Sequence, residues 1–231
     1  MNLTEKFRDM KRGIIVIITL ALLSQVFGQG TKDPKAKAVL DKALNRFSSL
    51  SSFSADFSFV KHVPSLEDET YSGSIKFKDK KVYLNSTDGR EVYNDGKTLS
   101  VFYKEDNEVN VYTSDPDQNE DFAIDKYLKA YKEDYKYIHM GTATINGVVC
   151  DFIELSPDKS IEEMKHQSVF KIKMYVDKAT SQVVRWKIFE KSGINYTTTI
   201  TKFAPNIVFN DSQFVFDESK YPSVEVIDMR D

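Results

Sequence analysis

A lone cysteine, Cys150, is all the thiol this 231-residue chain has, so no intramolecular disulfide can form. It lies in Val148-Val149-Cys150, an apolar stretch where cysteine packs as a small buried hydrophobe. Histidine is scarce too. His62, His139 and His166 stand alone, with no second histidine or cysteine at ligand spacing, and read as ordinary polar residues. The nine glycines are not gathered into a phosphate-cradling loop, and GxSxG, HExxH and CxxC are absent. Positive charge is not in excess. Against 35 Asp and Glu stand 32 Lys and Arg, and a net charge of −3 gives no electrostatic reason to hold nucleic acid. Catalysis is therefore unsupported, and neither a cofactor nor a metal is expected.

One string resembles a calcium loop, Asp115-x-Asp117-x-Asn119-x-Asp121. Its sixth position is Glu120 where glycine is needed, and its twelfth is Lys126 where a bidentate glutamate belongs. It reads as a solvated turn capping a helix. The acidic runs Glu67-Asp68-Glu69 and Glu162-Glu163 read as exposed loop charge.

Long apolar runs are also missing, except near the start. Ile14 to Leu23 is apolar apart from Thr19, Lys11 and Arg12 precede it, and Val26-Phe27-Gly28 offers a cleavage site before Gln29. That order is the pattern of a secretory signal peptide over residues 1–28, with Met10 an alternative start. A spanning helix needs about 20 apolar residues, and Ser24 and Gln25 end the run too soon. Cleavage would remove Lys6, Arg8, Lys11 and Arg12 against Glu5 and Asp9, a net +2, and take the charge from −3 to −5. The mature first residue would be Gln29, not the cysteine of a lipid-anchored protein. A soluble, exported single domain over 29–231 is the expectation.

What the chain does have is periodicity and aromatic residues, 13% of the total. Asp33-Pro34 opens a helical stretch to Leu50, with Val39, Ala43, Leu44, Phe47 and Leu50 on one face. From Phe53 the period becomes two: Phe53, Ala55, Phe57 and Phe59 alternate with polar residues, as do Tyr71, Gly73, Ile75 and Phe77. Shorter strands are expected at 82–85, 90–93, 98–103 and 108–112, with hairpin signals at Asp88-Gly89 and Asp95-Gly96. A second helix is expected over 121–131, with Phe122, Ile124, Tyr127, Leu128 and Tyr131 apolar. Strands return at 135–141 and 149–155 around Asn146-Gly147. After a polar excursion with one helical turn over 157–167 come strands at 170–176, 184–189 and 194–203, and Phe214 to Phe216 closes the pattern.

About ten to twelve antiparallel strands with two amphipathic helices define a mainly β, α+β fold. A sheet that long curls. The expected architecture is an unclosed β-barrel, or half-barrel, lidded by the helices around an apolar cavity. Alternation points Phe57, Phe59, Ile75, Phe77, Phe102, Met174, Trp186 and Ile188 toward that cavity.

The order of features also resembles the LolA family of periplasmic carriers of outer-membrane lipoproteins. The resemblance runs from Ala38 to Arg230. It rests on Leu44-x-x-Phe47-Ser48-Ser49-Leu50 with Phe53-Ser54-Ala55-Asp56-Phe57, on Tyr71-Ser72-Gly73-Ser74-Ile75-Lys76-Phe77-Lys78, and on Asn94-Asp95-Gly96-Lys97-Thr98-Leu99. The tail Phe214 to Pro222 with Val224-Glu225-Val226-Ile227-Asp228 completes it. The resemblance implies a monomeric periplasmic carrier whose cavity holds lipoprotein acyl chains. It implies partners as well: an inner-membrane lipoprotein-releasing transporter, and an outer-membrane acceptor or the outer membrane itself. The family's Arg-Pro after the second long strand, whose arginine is thought to hold the lid, is replaced here by Lys78-Asp79-Lys80-Lys81, so Lys78 or Lys81 would have to act as point charges. A general lipid-binding protein, a periplasmic sensor domain on the same fold and a hydrolase with an unseen site are the alternatives.

Overall fold

The fold is given by a computed structural model, which describes residues 32–114 and 123–230. The signal-peptide reading, the Asp115 to Asp121 string and the start of the second helix lie outside those residues.

Helix α1 spans Pro34–Ser48 and is set by its cap. The Asp33 side chain accepts from the Lys35 backbone N–H, and Pro34 occupies the first helical turn, where a missing N–H costs nothing. Ala36, Leu40 and Ala43 form its buried stripe, centred a little to one side of the stripe expected from Val39, Leu44 and Phe47. After α1 come β1 (Ser52–His62), β2 (Glu69–Lys78), β3 (Lys81–Ser86), β4 (Arg90–Asn94), β5 (Thr98–Tyr103) and β6 (Glu108–Thr113), then helix α2 (Ala123–Asp134). The chain continues with β7 (Tyr135–Ile145), β8 (Val148–Pro157), the single turn α3 (Glu162–Lys165), β9 (Val169–Asp177), β10 (Val183–Glu190), β11 (Asn195–Pro205) and β12 (Glu225–Asp228). At the β7–β8 hairpin Asn146 and Gly147 both have positive φ, 50° and 82°, as the tight primed turn of an Asn-Gly pair requires.

All twelve strands lie in one sheet, in the order β12-β6-β5-β4-β3-β2-β1-β11-β10-β9-β8-β7. Two antiparallel meanders, β1–β6 and β7–β11, are joined where β1 pairs with β11. The strands β12 and β7 are the outer edges and do not meet, so the barrel is open. Strand β12 runs parallel to β6. Phe214 to Phe216 is not a strand: Asp211–Phe214 is a 3-10 turn, because the side chain of Asn210 caps it and Phe214 drops into the interior.

Residues directly opposite across a pair share a face, so the register assigns an inner, helix-bearing face and an outer one. On the inner face, Ala36, Leu40 and Ala43 of α1 and Tyr127, Leu128 and Tyr131 of α2 pack on Tyr137, Leu155, Ile172, Met174, Trp186 and Ile188. Burying side chains of this size stabilises by about 1.5–3 kcal/mol each. A second inner cluster joins Leu50, Phe53, Ala55 and Ile75, and Ile200 and Phe203 of β11 pack against it across the seam. On the outer face the C-terminal segment lays Phe216, Tyr221 and Val224 over Phe102, Val109 and Val111. Glu91 fastens it there. Burial raises its carboxyl, but hydrogen bonds from Lys104, Tyr93 and Tyr221 outweigh this and hold it below its usual value.

Candidate ligand-binding site

Between the helices and the sheet lies an apolar cavity. Its wall is built from six elements: Ala43, Arg46 and Phe47 at the end of α1, Phe53 and Ala55 of β1, Ile75 of β2, Leu128 of α2, Ser181 to Val183 with Trp186 at β10, and Ile200 and Phe203 of β11. The β1–β11 pairing brings Ala55 opposite Phe203 and Phe57 opposite Ile200, with a bulge between. That bulge keeps Phe203 and Ile200 on the same face. The volume open to the centre of a water-sized sphere is about 40 Å³, a few times the roughly 10–15 Å³ one water needs. This is a narrow cleft, closed down around its own side chains. Its polar members are Arg46, Ser181 and Gln182. Gln182 donates to the Val183 carbonyl, while its own buried Oε1 has no hydrogen-bond partner.

The lid is held by Asp41 of α1. It accepts from the Tyr131 hydroxyl at 2.5 Å and pairs with Lys132 at 3.0 Å, both on α2, and with Lys37 at 2.6 Å on its own helix. The Lys37, Tyr131 and Lys132 contacts hold its carboxyl well below the usual aspartate range, and burial with the neighbouring carboxylate pushes the Tyr131 hydroxyl up. Lys78 and Lys81 do not serve the lid. Both bind Asp211 at 2.6 Å, and Lys78 also reaches the Phe209 carbonyl at 3.1 Å, which ties down the C-terminal segment. These two lysines, Lys78 first, lower the Asp211 carboxyl to about 2.

Of the eight residues expected at the cavity, Ile75 and Trp186 line it. Phe77 stands one layer behind, stacked on Phe53 at 5.1 Å. Phe57 and Phe59 continue along the inner face beyond the cleft, where both meet Tyr71 and Phe59 also leans on Tyr196. Met174 and Ile188 are spent in the helix–sheet core. Phe102 is on the wrong face. The inner row runs Ile75, Leu84, Val92, Val101, so its neighbour Phe102 points outward into the cluster under Tyr221. A one-residue offset accounts for the miss. Phe53 and Ala55 carried the same alternation as Phe57, but which end of the strand faces the helices is set by distant contacts that no local pattern records.

Two further groups lie away from the cleft. His139 pairs through Nε2 with Asp151 at 2.8 Å, and its Nδ1 accepts from the Gly141 N–H. Cys150 is fully buried, its thiol pushed up by burial. Among the described residues no group of His, Cys, Asp or Glu is placed to hold a metal ion.

No family model matches the chain. An uncharacterized protein of Methanocaldococcus jannaschii is 25% identical over 204 residues, which is 87% of this chain and 57% of that protein. The chain thus spans little more than half the length of that relative. Among solved structures, an uncharacterized conserved protein from Thermus thermophilus superposes with a TM-score of 0.54 at 8% identity, over 84% of this chain and 99% of that one. The lipoprotein LppX of Mycobacterium tuberculosis gives 0.50 at 15% identity, over 77% and 100%. At such identities the likeness is one of fold: an open, helix-lidded half-barrel, shared with LppX.

Proposed function

We propose that this chain is a carrier of acyl chains. The observation that carries the reading is the cleft itself, lined by side chains from both helices and four strands that are apolar except at the Arg46 and Gln182 end. Each methylene moved from water into such a site gains about 0.8 kcal/mol, so a hydrocarbon tail needs no specific contacts to be held. With about 40 Å³ open, entry requires the helices to part. The lid closes over the β7–β10 half of the sheet, and its two helices are latched to each other through Asp41.

The finer reading follows the sequence. A signal peptide over residues 1–28 would export the chain to a periplasm, where it would act without catalysis. There it would take lipoprotein acyl chains from an inner-membrane transporter and deliver them to an outer-membrane acceptor or to that membrane. The narrowness of the cleft favours a second reading, a general carrier of single-chain amphiphiles whose headgroup stops at Arg46 and Gln182. Trp186 is the chain's only tryptophan and lines the cleft, so it reports on both. Titration with a brominated fatty acid is expected to quench its emission, and the Ala55→Phe variant, with the cleft filled, should lose the response while keeping its β circular dichroism. An unquenched Trp186 in the native chain would refute the carrier reading. Native mass spectrometry of protein purified from its own source separates the two versions. A bound acylated polypeptide supports the shuttle, and free fatty acid or phospholipid the general carrier.

A further inference from the structure

The outer face of β9 and β10 bears a cluster that the cleft does not use. Lys171 and Lys173 of β9 and Lys187 of β10 bring their ammonium groups to 5.2, 5.5 and 5.2 Å from the centre of one ring, Phe189. Lys173 and Lys187 are directly opposite across the pair, an arrangement that costs stability by like-charge repulsion. Among the described residues none of the three forms an ion pair. Glu154, opposite Lys173 on β8, is not within bonding reach of it. In a chain of net charge −3 this is a local reversal of sign.

Phe170 makes the cluster more than a solvated patch. Alternation with Ile172 and Met174 would send it inward with the core. Instead the register slips at this point: Lys171 lies opposite Phe189 and Val169 opposite Glu190, so Phe170 is the extra residue of a β-bulge. A bulge re-aims a side chain, and here it turns Phe170 to the outer face, 40% exposed and 6.3 Å from the Phe189 ring. Two departures from good sheet design, paired lysines and an outward phenylalanine, thus fall on the same small patch.

From these we infer that the outer face of β9 and β10 is a docking surface for an anionic lipid bilayer. Three ammonium groups gathered over one apolar ring on the outer face suit the headgroup region, where ammonium meets phosphate while Phe170 reaches the acyl boundary. A peptide partner fits less well. Both strands are interior to the sheet and each is paired on its two sides, so neither offers backbone for strand addition. The inference stands apart from what the cleft holds.

The test is flotation of the full chain with vesicles of phosphatidylglycerol and of phosphatidylcholine, in parallel with a Lys171→Gln/Lys173→Gln/Lys187→Gln variant. Each lysine near an anionic surface is worth about fivefold in affinity, so the triple variant should bind phosphatidylglycerol roughly a hundredfold more weakly. The native chain should also release as salt is raised. Removing repelling charges should leave the fold intact. A local reading comes from Phe170→Trp, whose emission should shift to the blue on phosphatidylglycerol and not on phosphatidylcholine. Equal binding by native and triple-variant protein, or no vesicle-dependent shift at position 170, overturns the proposal.

Discussion

Gly73 shows how tightly single residues are constrained along the inner face. A Cβ there would stand 2.5 Å from the Asn85 carbonyl oxygen and 2.7 Å from the Phe57 ring. Glycine is needed for space, because the Phe57 ring lies over its Cα and the β2–β3 pair is drawn in close. Gly73→Ala must push either the ring or the strand aside, and overpacking of this kind costs about 1–3 kcal/mol. Urea denaturation should register that loss. Adding Phe57→Leu should restore only part of it, since the Asn85 carbonyl remains in the way; full restoration would mean the backbone contact is slack. Sequence alone placed Gly73 on the inward row of β2, opposite nothing in particular. Its partner Phe57 became visible only with the register of β1 on β2.

At the level of elements, α1 was legible from amphipathic spacing and its Asp33-Pro34 cap, α2 from the spacing of Tyr127, Leu128 and Tyr131, and the meander from alternation and Asn-Gly or Asp-Gly turns. What spacing could not give is how the helices are latched. Asp41 lies outside the apolar spacing of α1, yet it joins Tyr131 and Lys132 of α2. Its depressed carboxyl contributes stability that is fully present above the ordinary aspartate value near 3.9, and that is lost only as pH falls through the lower folded value. The latch should therefore survive mild acid. An Asp41→Asn and Tyr131→Phe double-mutant cycle at neutral pH is expected to give a coupling of about 1 kcal/mol, the worth of a charge-assisted hydrogen bond with partial exposure. The same variants should speed quenching of Trp186 by a brominated fatty acid, because the helices part more readily. Slower or unchanged quenching would place the entrance elsewhere.

At the scale of the whole molecule, twelve strands become one sheet only through the β1–β11 seam, which joins chain segments far apart in sequence. No local signal announces that pairing. Threonine-rich β11 and aromatic β1 each read as a strand, and nothing in either names the other as its partner. The outer edges are managed differently: β12 is short and carries Glu225 and Asp228, while backbone at Lys32 and Asp33 bonds to Tyr137 along β7. The seam therefore decides whether the halves unfold together. Phe203 crosses it, opposite Ala55 and 5.3 Å from Phe53. Phe203→Ala removes a half-buried ring at that junction, with an expected loss of about 2 kcal/mol, below the roughly 3–5 typical of a fully buried phenylalanine. For a domain of this size that lowers the melting temperature by about 4–8 °C. Trp186, on the helix-covered half, and amide exchange in β3–β5, on the other, should report the same lowered midpoint in the variant as they report a shared midpoint in the native chain. Separate midpoints for the two halves in the native chain would mean that each meander holds its own fold and that the seam merely docks them.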